Sequence, residues 1–235
     1  SHLAQGGGFT AGRMVEIHGD RVSEPARAFQ PLLAKLALQS EPARDAQAML
    51  LAWDCNTTRD SAAAPLFSAF RQALLVSILR PLLGDATDNL LRAQDRGGNS
   101  FLTRTLARLH LLIAKNETGL LPAGATWGAL LESALESAQA YCLKALGPDP
   151  LRWRWDAIHH TAAVHLLSGM FPEQATLLDP PAIAMGGDLD TPQAAGFYLD
   201  GDYRVRALCV ARYIFDPSDW GNSRWVIPAG VSAHP

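Results

Sequence analysis

Arg204-Val205-Arg206-Ala207-Leu208-Cys209-Val210-Ala211-Arg212-Tyr213-Ile214-Phe215 is the stretch that decides the fold class. Val205, Ala207, Cys209, Ala211 and Tyr213 alternate with Arg204, Arg206, Leu208, Val210 and Arg212. A period of two puts successive side chains on opposite faces of the backbone, so the pattern predicts one half-buried strand. Arg204, Arg206 and Arg212 then share one side; they suit a substrate carboxylate, but a solvated or interface face is their default role. Residues 224–227 read as a second strand. Two strands alone are marginal in water, where three or more are normally needed. The strand is therefore expected to have an open edge, whose free N–H and C=O groups recruit another chain by self-association.

Upstream the period changes to that of helices. Thr10 is placed to cap a first helix carrying Met14 and Ile17, and Ser23-Glu24-Pro25 has the cap-then-proline order of a helix start. Phe29, Leu32, Leu33 and Leu36 continue that stripe, with Pro31 expected to kink or restart it. A helix opening at Glu41-Pro42 carries Ala46, Met49, Leu50 and Trp53 and stops at Asp54-Cys55-Asn56-Thr57. Leu66, Phe67, Phe70, Leu74, Ile78 and Leu82 form a longer stripe, closed by Gly84 in a left-handed C′ conformation. Residues 84–99 read as loop. Phe101, Leu102, Leu106, Leu109 and Ile113 mark a fifth helix; a sixth runs from Trp127 to Leu146 behind Thr126 and stops at Gly147-Pro148. The expected organisation is a tag scar or linker over 1–9, a helical region over 10–149, and a mixed segment over 150–235 with C-terminal strands, incomplete at its end.

The 235 residues are 48 % hydrophobic and 18 % charged, enough for one good core or two small ones. A net charge of -3 gives no field to attract nucleic acid or an anionic membrane. The longest apolar run, near 73–83, is broken by Ser77, Arg80 and Pro81, short of the roughly 20 residues a spanning helix needs. Cys55, Cys142 and Cys209 fit neither a paired disulfide framework nor a CxxC site and are expected as buried thiols. Ser1-His2-Leu3 followed by Ala-Gln-Gly-Gly-Gly lacks the basic and apolar regions of a secretion signal.

His159, His160 and His165 invite a metal reading, but separations of five and six residues do not share a helical face, and no HExxH frame is present. Hydrogen-bonded structural histidines are the expectation. Gly186-Gly187-Asp188-Leu189-Asp190-Thr191 offers two carboxylates yet lacks the glycine and glutamate of an EF-hand loop, so a turn whose Asp side chains accept backbone N–H groups is favoured. No GxSxG, Walker or GxGxxG motif occurs. An N-terminal serine can serve as nucleophile with its own amine as base. Ser1 is set aside because the polar, glycine-rich run after it does not begin a buried strand.

A series of motifs spread along the chain resembles the penicillin acylase (penicillin amidase) family of N-terminal-nucleophile hydrolases, the C-terminal part of its β-subunit. Gly186-Gly187-Asp188-Leu189-Asp190-Thr191, Tyr203-Arg204-Val205-Arg206, and Asp216-Pro217-Ser218-Asp219-Trp220-Gly221-Asn222-Ser223-Arg224-Trp225-Val226-Ile227-Pro228-Ala229-Gly230-Val231-Ser232-Ala233-His234-Pro235 look like its closing region. Arg13-Met14-Val15-Glu16-Ile17-His18-Gly19-Asp20-Arg21-Val22-Ser23, Leu51-Ala52-Trp53-Asp54 and Trp155-Asp156-Ala157-Ile158-His159 resemble earlier family segments. Pro192 stands where the family continues Val-Asn, and Ala233 replaces its glycine.

The resemblance implies an α+β fold, a mostly helical first part followed by a few strands at the edge of an αββα core. It further implies a fragment of a self-cleaving amidohydrolase acting on linear amides such as a β-lactam side chain or an N-acyl amide. The chain is expected to begin after the nucleophile, the oxyanion-hole asparagine and the calcium ligands, and to stop before the family's closing residues. No catalytic, cofactor-binding or metal residue is therefore expected within it, and no cofactor. Calcium belongs to the full-length parent, the partners are its remaining α and β segments, and a periplasmic or extracellular parent is suggested. The alternative is a self-contained helical binding or scaffold module that holds a partner with the surface from Trp153 to His165.

Overall fold

A computed structural model of the chain describes residues 8–92, 98–161, 163–209 and 212–226, with the side chains of 98–101 and 103 outside that description. Helix starts follow the caps in the sequence. Thr10 Oγ1 accepts from Arg13 N at the head of α1 (Ala11–His18), and Ser23 from Ala26 N at α2 (Glu24–Leu33). Ser40 accepts from Ala43 N at α3 (Glu41–Ala52), and Thr126 from Ala129 N at α7 (Trp127–Leu146). Each cap satisfies an N–H that the first turn leaves without a partner. Pro31 lies inside α2 without ending it there. It stands two residues before the last helical residue, so the helix continues only briefly past it, and Leu36 packs on the core from beyond the helix.

The centre of the molecule is α4 (Ala63–Leu83), with α7 packed along it and α3 beside α7. Phe29 meets Phe67 and Phe70 edge to face, the latter with ring centroids 5.4 Å apart. Leu74 and Leu75, on different sides of α4, are both fully buried. By length and composition α4 is long and apolar enough to cross a membrane, more than the broken run near 73–83 predicted. Its burial among the other helices, with the charged Arg71 inside, accounts for that composition. Gly84 ends it at φ 54°, ψ -135°. The φ is positive as expected, but the ψ is not left-handed helical, and the N–H still closes on the Arg80 carbonyl.

The loop expected over 84–99 instead contains α5 (Ala86–Leu91), and α6 (Gly98–Ala114) begins within it. Thr87 and Leu91 are buried. Arg80 grips Asp88 through two hydrogen bonds of 2.6 and 3.0 Å. Six residues are too few to show a stripe, so tertiary anchoring, not periodicity, makes this helix. After α7 the chain runs through short 3-10 turns and α8 (Ala175–Leu178).

The single strand predicted over 204–215 is not formed. Val205 bridges Thr161 in parallel; β2 (Ala207–Leu208) pairs antiparallel with β1 (Ala195–Gly196), and β3 (Arg212–Ile214) with β4 (Arg224–Val226). Because the segment changes partners, its inward phase reverses: Val205 is buried, yet further on Ile214 is buried and Tyr213 exposed. One uninterrupted alternation cannot do this. Among the described residues both sheets are two-stranded, so each strand keeps one edge without a strand partner.

Candidate functional site

Four distant segments converge on one interior junction. The N–H of Ser23 donates to the Cys55 carbonyl, that of Thr57 to Arg21, that of Gly187 to Thr57, and that of Gln193 to Asp20. Arg21 Nε donates to Gln193 Oε1 at 2.6 Å. Trp155 Nε1 reaches the Gly187 carbonyl at 2.9 Å. Two glycines make this approach feasible: a Cβ on Gly186 would sit 2.8 Å from the Thr57 carbonyl oxygen, and one on Gly187 2.1 Å from that of Gln193. Gly187 also has φ +85°, a region that side chains rarely adopt. The close contacts are absent from the sequence periodicity; only the Gly-Gly pair signals them.

Within the turn Asp188 Oδ1 accepts from the Asp190 N–H at 2.7 Å, and Thr191 Oγ1 accepts from the Asp188 N–H at 2.9 Å. Asp188 thus satisfies the backbone of the turn as expected, whereas the Asp190 carboxylate does not serve it. Asp190 turns its other face to Arg71 of α4, Oδ2 to Nη1 at 2.7 Å, and both side chains are largely buried. Arg71 also lies over the Phe67 ring, 5.3 Å from its centroid. Burial, and then the neighbouring Asp190 charge, push the Asp188 carboxyl above its ordinary range, opposed by Arg71. A guanidinium thus supplies the positive charge these carboxylates face.

The three histidines serve separate structures. His159 is fully buried and stacked on Trp155 with ring centroids 4.2 Å apart. Its Nδ1 lies 2.7 Å from the Tyr203 carbonyl oxygen, which can only accept, so Nδ1 carries the proton. Burial lowers its pKa to about 4. His160 bridges Ala184 through its backbone. His165 Nδ1 accepts from Leu167 N, and the Ser168 hydroxyl donates to Asp179, not to the imidazole. That local Ser, His and Asp group, missed in the sequence, caps a turn and does not activate its serine.

Arg204 and Arg206 both pair with Asp202, at 2.7 and 2.8 Å. The Arg204 guanidinium holds the Asp202 carboxyl far below the usual range. Arg212 lies apart, in a shallow groove with Val15 and His18 of α1. The row of three basic residues expected to share one face is therefore split, because the predicted strand is split, and two of its members share the one carboxylate of Asp202. Trp153 and Trp155 are 2 % and 0 % exposed. They are core, not the partner-holding surface that the alternative module requires. Ser1 and the run 227–235 lie outside the described residues.

The segments 20–23, 54–57, 155–159 and 186–193 that meet at this junction carry motifs read as one series along the sequence. Residues 1–235 match the family model of penicillin amidase. The chain belongs to the penicillin amidase family. It is 32 % identical over 221 residues to the penicillin acylase 2 proenzyme of Pseudomonas sp. (strain SE83), an alignment covering 93 % of this chain and 27 % of that relative. The chain thus spans about a quarter of the length of the curated relative it matches. At this junction Asp188 braces its own turn, Asp190 ties that turn to Arg71 of α4, and His159 holds the Tyr203 carbonyl.

Proposed function

We propose that this chain is one part of an amidohydrolase that cleaves a linear amide, a β-lactam side chain or an N-acyl amide, and that it is inactive by itself. It contributes a helical layer and the edge strands of the catalytic core. A serine elsewhere in the parent, freed by self-cleavage, attacks the amide carbonyl. The relative's name, a penicillin acylase proenzyme of which the aligned part is 27 %, supports the reaction class.

The observation that carries the reading is the hairpin of β3 and β4. One face, with Ile214 8 % exposed, packs on α1. The other presents Tyr213, Phe215, Trp220 and Trp225, which are 47, 64, 68 and 69 % exposed. Tyr213 stacks on both Phe215 and Trp225, so the rings form one continuous surface. Contiguous apolar surface of this kind marks a contact with another body of protein.

The test is hydrolysis of a chromogenic phenylacetyl amide by the chain alone and by the chain co-expressed with the remaining parent segments. Loss of a nucleophile costs on the order of a million-fold in turnover, so the chain alone should be silent and the reconstituted protein active. Turnover by the chain alone that vanishes in Ser1→Ala would overturn the proposal.

A further inference from the structure

Away from the junction, α4 and α6 diverge to leave an apolar groove of 730 Å³. Its size is that of a small-molecule pocket. Leu82, Leu83 and Leu120 are 55, 43 and 42 % exposed around it. One wall is a ridge of Arg104, Arg108 and Leu112, spaced i, i+4, i+8 on α6. Neither arginine forms an ion pair with another described residue, and no acidic side chain among the described residues lines the groove. Arg71, Arg80, Arg154, Arg204 and Arg206, by contrast, each hold a carboxylate.

We propose that this groove binds a small anionic amphiphile, an unbranched alkyl chain ending in a carboxylate. The alkyl body lies against Leu82, Leu83, Leu112 and Leu120, and the carboxylate sits between Arg104 and Arg108. Two guanidiniums one helical turn apart offer paired charge-assisted donors, and the leucines offer apolar surface that gains by leaving water. An amphiphile satisfies both at once; a neutral lipid leaves the arginines unused, and a short anion leaves the leucines wet.

Dodecanoate, dodecanol and butyrate are the probes, titrated calorimetrically into the full chain below their aggregation limits. Saturable one-to-one binding of dodecanoate is expected, with dodecanol and butyrate each weaker by about tenfold or more, the loss of one charge-assisted contact or of most apolar contact. The surface double variant R104E/R108E, which leaves the core untouched, should lose dodecanoate binding by at least the same factor while keeping the wild-type helical circular dichroism. L112W, which fills the groove, should block all three probes. The proposal is overturned by absence of saturable dodecanoate binding, by equal binding of dodecanol, or by dodecanoate binding that survives both variants. Binding only of an acidic peptide, or dimerisation through this face, likewise overturns it.

Discussion

Gly84 and Gly187 both have positive φ, yet the residues around them make the two positions unequal. A Cβ at Gly84 meets nothing within 4 Å, whereas at Gly187 it collides with the Gln193 carbonyl at 2.1 Å. Gly84→Ala should therefore cost only the backbone term, roughly 1 kcal/mol, and Gly187→Ala about 3 kcal/mol or more, since the turn must move. Urea unfolding of the two variants separates these outcomes; equal losses would mean that the junction yields freely. His159 makes a second residue-scale prediction. Its folded pKa, lowered to about 4 by burial, lies below the ordinary value of 6.5. Between those values the unfolded chain binds the proton and the folded chain does not, so this contribution is lost as pH falls from 6.5 toward 4, by up to about 3 kcal/mol. Below 4 both states are protonated and no further loss occurs. His159→Gln keeps a donor but not the titration, and its stability should fall less over that window than that of the parent chain.

At the scale of elements, α4 is tied to the glycine turn by the Arg71–Asp190 pair. Arg71→Met leaves two acidic side chains in the interior without their cation, at a cost of roughly 3–5 kcal/mol. Adding Asp190→Asn removes one of those charges, so the double variant should recover part of the loss. Unchanged unfolding midpoints in the single variant would show that the pair contributes nothing. The helices were legible because cap and stripe are local: Thr10, Ser23 and Thr126 each accept the N–H three residues on. What escaped was tertiary in origin. α5 is one short helix held by the Arg80–Asp88 bond and two buried side chains, and the 204–215 segment changes sheet partner where its alternation shows no break. The junction was legible only as a series of motifs, because nothing in the local pattern of residues 20–23 or 54–57 shows that they meet residues 186–193.

At the scale of the whole molecule, the aromatic face of β3 and β4 decides how the chain behaves alone. Tyr213, Phe215, Trp220 and Trp225 are 47–69 % exposed. Covering them would remove on the order of 400 Å² of apolar surface, worth about 10 kcal/mol at ~25 cal/mol per Å². Association costs roughly 4–15 kcal/mol in lost freedom of motion, so a second copy seated on this face alone is held weakly. The isolated chain should then associate in a concentration-dependent way, visible by sedimentation velocity, and should bind a hydrophobic dye. Phe215→Glu with Trp225→Glu puts two like charges on the exposed face while leaving Ile214 and α1 in place. That variant should sediment as a monomer with unchanged helical circular dichroism, and it should fail to assemble with the remaining parent segments. The assembly reading fails if the unaltered chain stays monomeric at every concentration and the charged variant still reconstitutes activity, because the aromatic face would then be ordinary solvent-facing surface.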